Sequence, residues 1–508
     1  MPLMYCHAKL KNISQHTVIS AHLFLPDYSP MNRDSFYPAI ACFPLLLMLA
    51  GCAPMHETRQ ALSQHTLAVQ VDTALPTALK NGWPDSQWWL GYHDDQLTSL
   101  INNALQNAPY MQVAEQRIQL AEAQAKAVAT QDGPQLDFSA DMERQKMSAE
   151  GLMGPFALND PAAGTTGPWY TNGTFGLTAG WHLDIWGKNR AEVTARLGTV
   201  KARAAEREQT RQLLAGSVAR LYWEWQTQAA LNTVLQQIEK EQNTIIATDR
   251  QLYQNGITSS VEGVETDINA SKTRQQLNDV AGKMKIIEAR LNALTNHQTK
   301  SLKLKPVALP KVASQLPDEL GYSLLARRAD LQAAHWYVES SLSTIDAAKA
   351  AFYPDINLMA FLQQDALHLS DLFRHSAQQM GVTAGLTLPI FDSGRLNANL
   401  DIAKAESNLS IASYNKAVVE AVNDVARAAS QVQTLAEKNQ HQAQIERDAL
   451  RVVGLAQARF NAGLIAGSRV SEARIPALRE RANGLLLQGQ WLDASIQLTG
   501  ALGGGYKR

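Results

Sequence analysis

Four short stretches of the chain alternate strictly between apolar and polar or small residues, and they sit in pairs inside a sequence that is otherwise helical in its periodicity. In the first, Leu136, Phe138, Ala140 and Met142 alternate with Gln135, Asp137, Ser139, Asp141 and Glu143. In the second, Phe175, Leu177, Ala179, Trp181, Leu183 and Ile185 alternate with Thr174, Gly176, Thr178, Gly180, His182 and Asp184. The other pair repeats the scheme. Its apolar rows are Ile356, Leu358, Ala360 and Leu362, with Met359 and Phe361 blurring the opposite face, and then Met380, Val382, Ala384, Leu386, Leu388 and Ile390. A period of two puts successive side chains on opposite faces of a strand. Segments of roughly 9–11 residues that are apolar on one side only fit a membrane β-barrel with a wet interior, and they also fit a soluble, half-buried sheet.

The stretches between the strands have the composition of long helices, rich in Ala, Gln, Glu, Leu and Arg. No proline interrupts the chain from Ile185 to Gly256, so a helix there would approach about 100 Å at about 1.5 Å per residue. Val418, Val422, Val425, Ala429 and Val432 step by four and three, which is a coiled-coil seam, and Leu214, Val218, Leu221 and Trp225 begin the same pattern. Helices alone would suit a coiled-coil scaffold as well as the wall of a duct.

The plan occurs twice. A shift of 220 sets Gln112 on Gln332, Pro134 on Pro354 and Leu136 on Ile356; a shift of 205 sets Gly176-Leu177-Thr178-Ala179-Gly180 on Gly381-Val382-Thr383-Ala384-Gly385 and Arg190 on Arg395. A shift of 207 then sets Tyr253 on Phe460, Gly256 on Gly463 and Glu265 on Glu472. Each half reads helix, strand, strand, long helix, turn, helix, with first repeat 96–298, linker 299–320, second repeat 321–502 and a glycine-rich tail 503–508 expected to be flexible. Four strands cannot close, because the smallest membrane barrels have about eight and open edges are not tolerated in lipid. A barrel must therefore be shared, and three chains supply twelve strands, with 151–168 and 366–375 as the outer loops.

Measured from Met31, the chain shows Arg33, an apolar run from Ala39 to Leu49, and then Leu49-Ala50-Gly51-Cys52. A basic end, a short hydrophobic core and small residues form an export signal too short to span a bilayer. The last four residues resemble the bacterial lipoprotein box. That likeness implies cleavage before Cys52, S-diacylglycerol on its thiol and N-palmitoylation of the new terminus, while Ala53 in place of an aspartate implies delivery to the outer membrane. Residues 1–51 thus read as a signal peptide whose first 30 residues are an over-long start, and 52–95 as a lipid-anchored segment. Of Cys6, Cys42 and Cys52 only the last survives cleavage, which leaves no disulfide and no cysteine metal site. The chain carries −1, and removal of Lys9, Lys11, Arg33, Asp27 and Asp34 leaves −2, too little for a nucleic-acid footprint.

Enzyme signatures are not met. Gly180 to Gly187-Lys188-Asn189 has the wrong spacing for a phosphate loop, no His-Glu-x-x-His occurs, and Asp94-Asp95 read as solvated or capping charges. Trp88, Trp89, Trp181 and Trp186 read as packing or interfacial-belt residues. No cofactor is expected.

Taken together, the box at Cys52, Trp88-Trp89 running into Asp95-Gln96-Leu97 and Leu100-Ile101, Arg328-Ala329-Asp330-Leu331, Pro389-Ile390-Phe391-Asp392-Ser393-Gly394-Arg395 and Phe460-Asn461-Ala462-Gly463 resemble the outer-membrane efflux factors, the TolC-like channels, in their lipidated multidrug branch. The resemblance covers nearly all of residues 52–508. It implies a mixed α/β membrane protein: a homotrimer with a twelve-stranded barrel in the outer membrane and a coiled-coil tunnel of long helices in the periplasm. A periplasmic adaptor and an inner-membrane pump would dock on it to export small toxic compounds. Protein secretion through the same duct and a pore-free, lipid-anchored coiled coil are the alternatives. The resemblance further implies adaptor contacts at the turns of Gly256 and Gly463 and a periplasmic gate lined by Glu262, Glu265, Arg469 and Glu472, where Arg469 departs from the acidic pattern and stands three residues from Glu472, within pairing reach. Tyr110, where the second half has Asp330, is another departure, expected to weaken a local cap.

Overall fold

The computed structural model describes residues 62–63, 82–146, 169–257, 259–296, 302–311, 324 and 326–506. The chain divides into two units, Met1–Cys52, which lies outside the described residues, and Ala53–Arg508, whose fold follows. The first repeat contains α1 (Asp95–Asn107), α2 (Pro109–Ala129), β1 (Gln135–Lys146), β2 (Trp169–Leu183), α3 (Lys188–Gln254) and α4 (Ser260–Thr295). The second contains α5 (Ala329–Ala350), β3 (Asp355–Ala366), β4 (Gln378–Thr387), α6 (Arg395–Asn461) and α7 (Gly467–Ala501).

The two long helices, α3 and α6, are each 67 residues. Both begin after a glycine in the left-handed region, Gly187 at φ 78° and Gly394 at φ 85°. The orphan N–H groups of their first turns are met by a carboxylate left behind at the strand exit. Asp184 accepts from the backbone of Asn189 at 3.1 Å and Arg190 at 3.0 Å; Asp392 accepts from Gly394 at 3.0 Å and Leu396 at 2.9 Å. Burial pulls the Asp184 pKa up, but the backbone hydrogen bonds and the Arg190 guanidinium together outweigh it and hold the carboxyl below its ordinary value.

Helices α5 and α7 both lie between α3 and α6. The end of α7 meets the start of α5 at Arg328, whose guanidinium donates to the Ala501 carbonyl at 3.2 Å and pairs with Asp330 at 2.6 Å. A cation against a helix C-terminus and an acid in the first turn of the next helix each complement the local dipole. The first repeat solves the same junction differently. Pro109 opens α2 with no side-chain cap at Ala108, Tyr110 is exposed, and Asn296, after the end of α4, donates to the Asn107 carbonyl at 3.3 Å.

The seam residues Val418, Val425, Ala429 and Val432 are buried in one core with Leu331, Val338 and Leu498, while Leu214, Val218 and Trp225 join a second with Trp89, Leu97 and Leu291. Each fully buried Val or Leu contributes about 1.5–3 kcal/mol. The described part of the linker, 302–311, forms no helix or strand. Glutamine side chains hold its backbone: Gln226 accepts from Val307 at 2.9 Å and donates to Lys305, and Gln488 donates to Pro310 at 3.1 Å.

Three expectations are corrected. The strands stop at Leu183 and Thr387, short of Ile185, Leu388 and Ile390; in β4 this is because Pro389 has no N–H to continue the ladder. The long helices start at 188 and 395 and the β1–β2 and β3–β4 registers repeat with the same offset, so β2 lies over β4 at a shift of 207. The 205 alignment of Gly176 with Gly381 and Arg190 with Arg395 is therefore two residues out, although Arg190 and Arg395 each pair with the capping acid. Finally, Gly503, Gly504 and Gly505 are buried, with φ of 92°, 54° and 81°. A Cβ would collide with the Arg327 carbonyl at Gly503 and with the Asp85 carbonyl at Gly505. Glycine is needed there for space and for backbone conformation, not for flexibility.

Candidate functional site

The four strands form one antiparallel sheet in the order β1-β2-β3-β4, with β1 and β4 at open edges. Their registers bring the apolar rows together. Phe138 stands opposite Leu177, Leu177 opposite Leu362 and Leu362 opposite Met380; Leu136, Ala179, Ala360 and Val382 form the next row. Leu136, Phe138, Met142, Met380 and Val382 are exposed, so most of one side of the sheet is an uncovered hydrocarbon surface, while at its outer end Leu372 and Phe373 pack over Gly173 and Phe175. The other face runs Ser139, Gly176, Gln363, Gln379 and Asp137, Thr178, Phe361, Gly381. Phe361 fits there because Gly381 lies opposite, and a Cβ on that glycine would come 2.8 Å from the ring.

Aromatic side chains mark the helix-side rim of the sheet. The Trp181 indole donates to the Asp132 carbonyl at 2.9 Å, the Trp186 indole to the Pro354 carbonyl at 2.8 Å, and Trp186 stacks on Tyr353 with ring centroids 5.0 Å apart. An apolar body with one satisfied polar tip suits a membrane–water boundary. Trp89, by contrast, is core.

At the far ends of the long helices, Gly256 at φ 70° and Gly463 at φ 74° close matching turns. Ile257 donates to the Leu252 carbonyl and Leu464 to the Arg459 carbonyl, both at 2.9 Å, the six-to-one bond of a Schellman motif. Tyr253, Ile257, Phe460 and Leu464 are exposed on these turns. Glu265 is exposed on α4. The side chain of Glu262 and all of Cys52 lie outside the described residues. On α7, Arg469 Nη1 is 2.6 Å from Glu472 Oε2.

Two features near this end are absent from the sequence reading. Arg474 on α7 pairs with Glu241 on α3 at 3.3 Å and donates to Gln457, tying the two helical hairpins together. Partners 233 positions apart leave no local signal. Pro476, inside α7, removes the N–H that would bond the Glu472 carbonyl. A proline in a helical pattern was the available sign.

Two further seams are unpartnered among the described residues. On α2, Tyr110, Val113 and Leu120 are exposed at heptad-compatible spacing; on α6, Ile402, Leu409 and Val419 are exposed along a line that also includes Ala398, Ala405 and Ala412. These helices flank β1 and β4, the edge strands. Among the described residues no group of side chains could hold a metal ion, and no helix is long and apolar enough to cross a membrane.

Residues 100–297 and 320–504 match the family described as Outer membrane efflux protein. The chain is 97% identical over 478 residues to the putative multidrug resistance outer membrane protein MdtQ of Escherichia coli K12, covering 94% of this chain and 100% of that protein. It is 36% identical to the multidrug resistance outer membrane protein MdtP of Shigella flexneri, covering 91% of this chain and 94% of that one. Among solved structures, the outer membrane protein VceC of Vibrio cholerae matches with a TM-score of 0.70 at 26% identity, covering 84% of this chain and 100% of that chain. The fold also matches the transmembrane channel protein CusC, with a TM-score of 0.74 at 22% identity over 87% of this chain and 99% of that one.

Proposed function

The chain belongs to the outer membrane efflux protein family, and from that premise we propose that three copies build one passive exit duct for small toxic compounds. The three sheets close a twelve-stranded barrel whose apolar face meets lipid and whose polar face lines the pore; the long helices continue the passage as a tunnel in the periplasm. An inner-membrane pump supplies the energy and a periplasmic adaptor grips the turns at Gly256 and Gly463. Glu262, Glu265, Arg469 and Glu472 line the closed periplasmic mouth, where fixed charges in a narrow passage set ion selectivity as well as closure. Cys52 carries S-diacylglycerol and an N-palmitoyl group, while the barrel makes its own membrane attachment.

The observation that carries this reading is the coincidence of open edges and open seams at the same two ends of the chain. The repeat supplies the geometry of closure. Within the chain, α3 packs on α5 so closely that a Cβ on Gly198 would lie 3.0 Å from the Ser340 Cβ. A shift of 207 carries Gly198 to Ala405 on α6, and a shift of 220 carries Leu120 on α2 to Ser340. Leu120 of one copy should therefore meet Ala405 of the next. The same shifts applied to the β2–β3 ladder, where Leu177 faces Leu362, set Ala384 opposite Met142 of the next copy.

Leu120→Cys combined with Ala405→Cys tests this, since a disulfide needs Cβ atoms about 3.5–4.5 Å apart. Oxidation in membranes should give covalent trimers, and Leu120→Cys with Leu409→Cys, one helical turn out of register, should not. A chain that stays monomeric in the first variant refutes the shared barrel.

A further inference from the structure

A groove of about 650 Å³ runs between α3, α6 and α7, on the side of α7 away from the linker that Gln488 holds. Its walls carry charges of both signs. Arg220 on α3 and Asp493 on α7 pair with each other, but Glu224 on α3 and Lys438 on α6, both exposed, form no ion pair among the described residues. Two of the residues that line it each keep a buried polar atom with no partner among the described residues. Gln228 is 7% exposed and its Oε1 has no hydrogen-bond partner; Trp223 is 2% exposed and its indole N–H has none. An unmet buried amide is destabilising, and native proteins keep few of them.

We propose that this groove is a binding station for zwitterionic solutes passing through the duct, a proposal that rests on the duct reading. The ammonium group is held by Glu224 and the carboxylate by Lys438 on the opposite wall. The Gln228 amide, free to turn about its broad terminal torsion, takes a polar group between them. The volume falls within the range of small-molecule sites, about 300–1,000 Å³. Opposed charges that do not neutralise each other favour a solute carrying both signs over one carrying either.

Equilibrium dialysis of the full chain in detergent tests this with phenylalanine as zwitterion, phenylalanine methyl ester as cation and N-acetylphenylalanine as anion. Phenylalanine should bind at least tenfold more tightly than either of the others. Glu224→Gln should erase its advantage over N-acetylphenylalanine, Lys438→Met its advantage over the ester, and Gln228→Leu should weaken it about tenfold. Equal binding of the three probes, or none, overturns the proposal. Gln228→Leu should melt at or above the parent temperature, because no bond within the chain is lost; a lower melting temperature would make the amide structural and overturn its role. Planar-bilayer conductance separates the two readings. Conductance without phenylalanine binding removes the station alone, and binding without conductance removes the duct.

Discussion

Gly503 and Gly256 share a left-handed backbone but not a surrounding. A Cβ at Gly256 meets nothing within 4 Å, whereas at Gly503 it meets the Arg327 carbonyl. Gly256→Ala should therefore cost only the backbone term, about 1–2 kcal/mol. Gly503→Ala adds a collision with main chain that cannot give way, and its melting point should fall well below that of Gly256→Ala. Three tyrosines report on pH. Burial raises Tyr92 to about 12 and Tyr337 to about 12, and raises Tyr222 as well, with hydrogen bonds to Glu206 and Asp94 adding to the last two. Unfolded tyrosine ionises near about 10, so the stabilisation is complete below that pH and is lost as pH climbs toward 12. Denaturation midpoints should hold up to pH 9 and drop by pH 11.5, and Tyr337→Phe should lessen the drop; a flat profile would contradict it. At this scale the sequence gives residue type but seldom partner. Asp94 is legible as a cap and does accept from Leu97 at 2.8 Å. Gln226, fully buried beneath the linker, looks like any surface glutamine of a polar helix.

Helix lengths are legible because nothing in the sequence stops them. The 67 residues of α3 and of α6 end at glycines that a Schellman turn requires. Strand ends are less so, since the apolar alternation runs on through Leu388 and Ile390 while Pro389 has already ended the pairing. The final helix also differs from its counterpart in its backbone: a shift of 207 sets Pro476 on Asn269, so only the second repeat carries a proline near its mouth. Pro476→Ala restores a bond to the Glu472 carbonyl and should raise stability, by up to about 3 kcal/mol. It should also straighten the segment carrying Arg469 and Glu472. That exposed pair adds little to stability, about 0–1 kcal/mol. Arg469→Ala with Glu472→Ala should accordingly leave the melting point nearly unchanged and loosen closure, seen as higher conductance and vancomycin sensitivity. Unchanged values of both at normal trimer levels would place the gate elsewhere.

The whole molecule is a duplication, and that much is written in the spacing of Pro134 and Pro354 or Gly256 and Gly463. What spacing leaves out is which two residues stand opposite, because a shift of 205 and one of 207 preserve the same strand face; the ladder distinguishes them. Anchoring belongs to this scale too. Labelled palmitate should enter the protein and be absent from Cys52→Ser, and an unmodified Cys52 in the mature chain would exclude the lipid. The unpaired backbones of β1 and β4 also govern how the protein comes into being. With the barrel shared as proposed, a lone chain cannot enter hydrocarbon with two raw strand edges, so insertion waits for three chains to meet. Its rate must then rise more steeply than the first power of chain concentration, and at low expression each newly exported copy spends longest in the state most open to proteases and edge-to-edge aggregation.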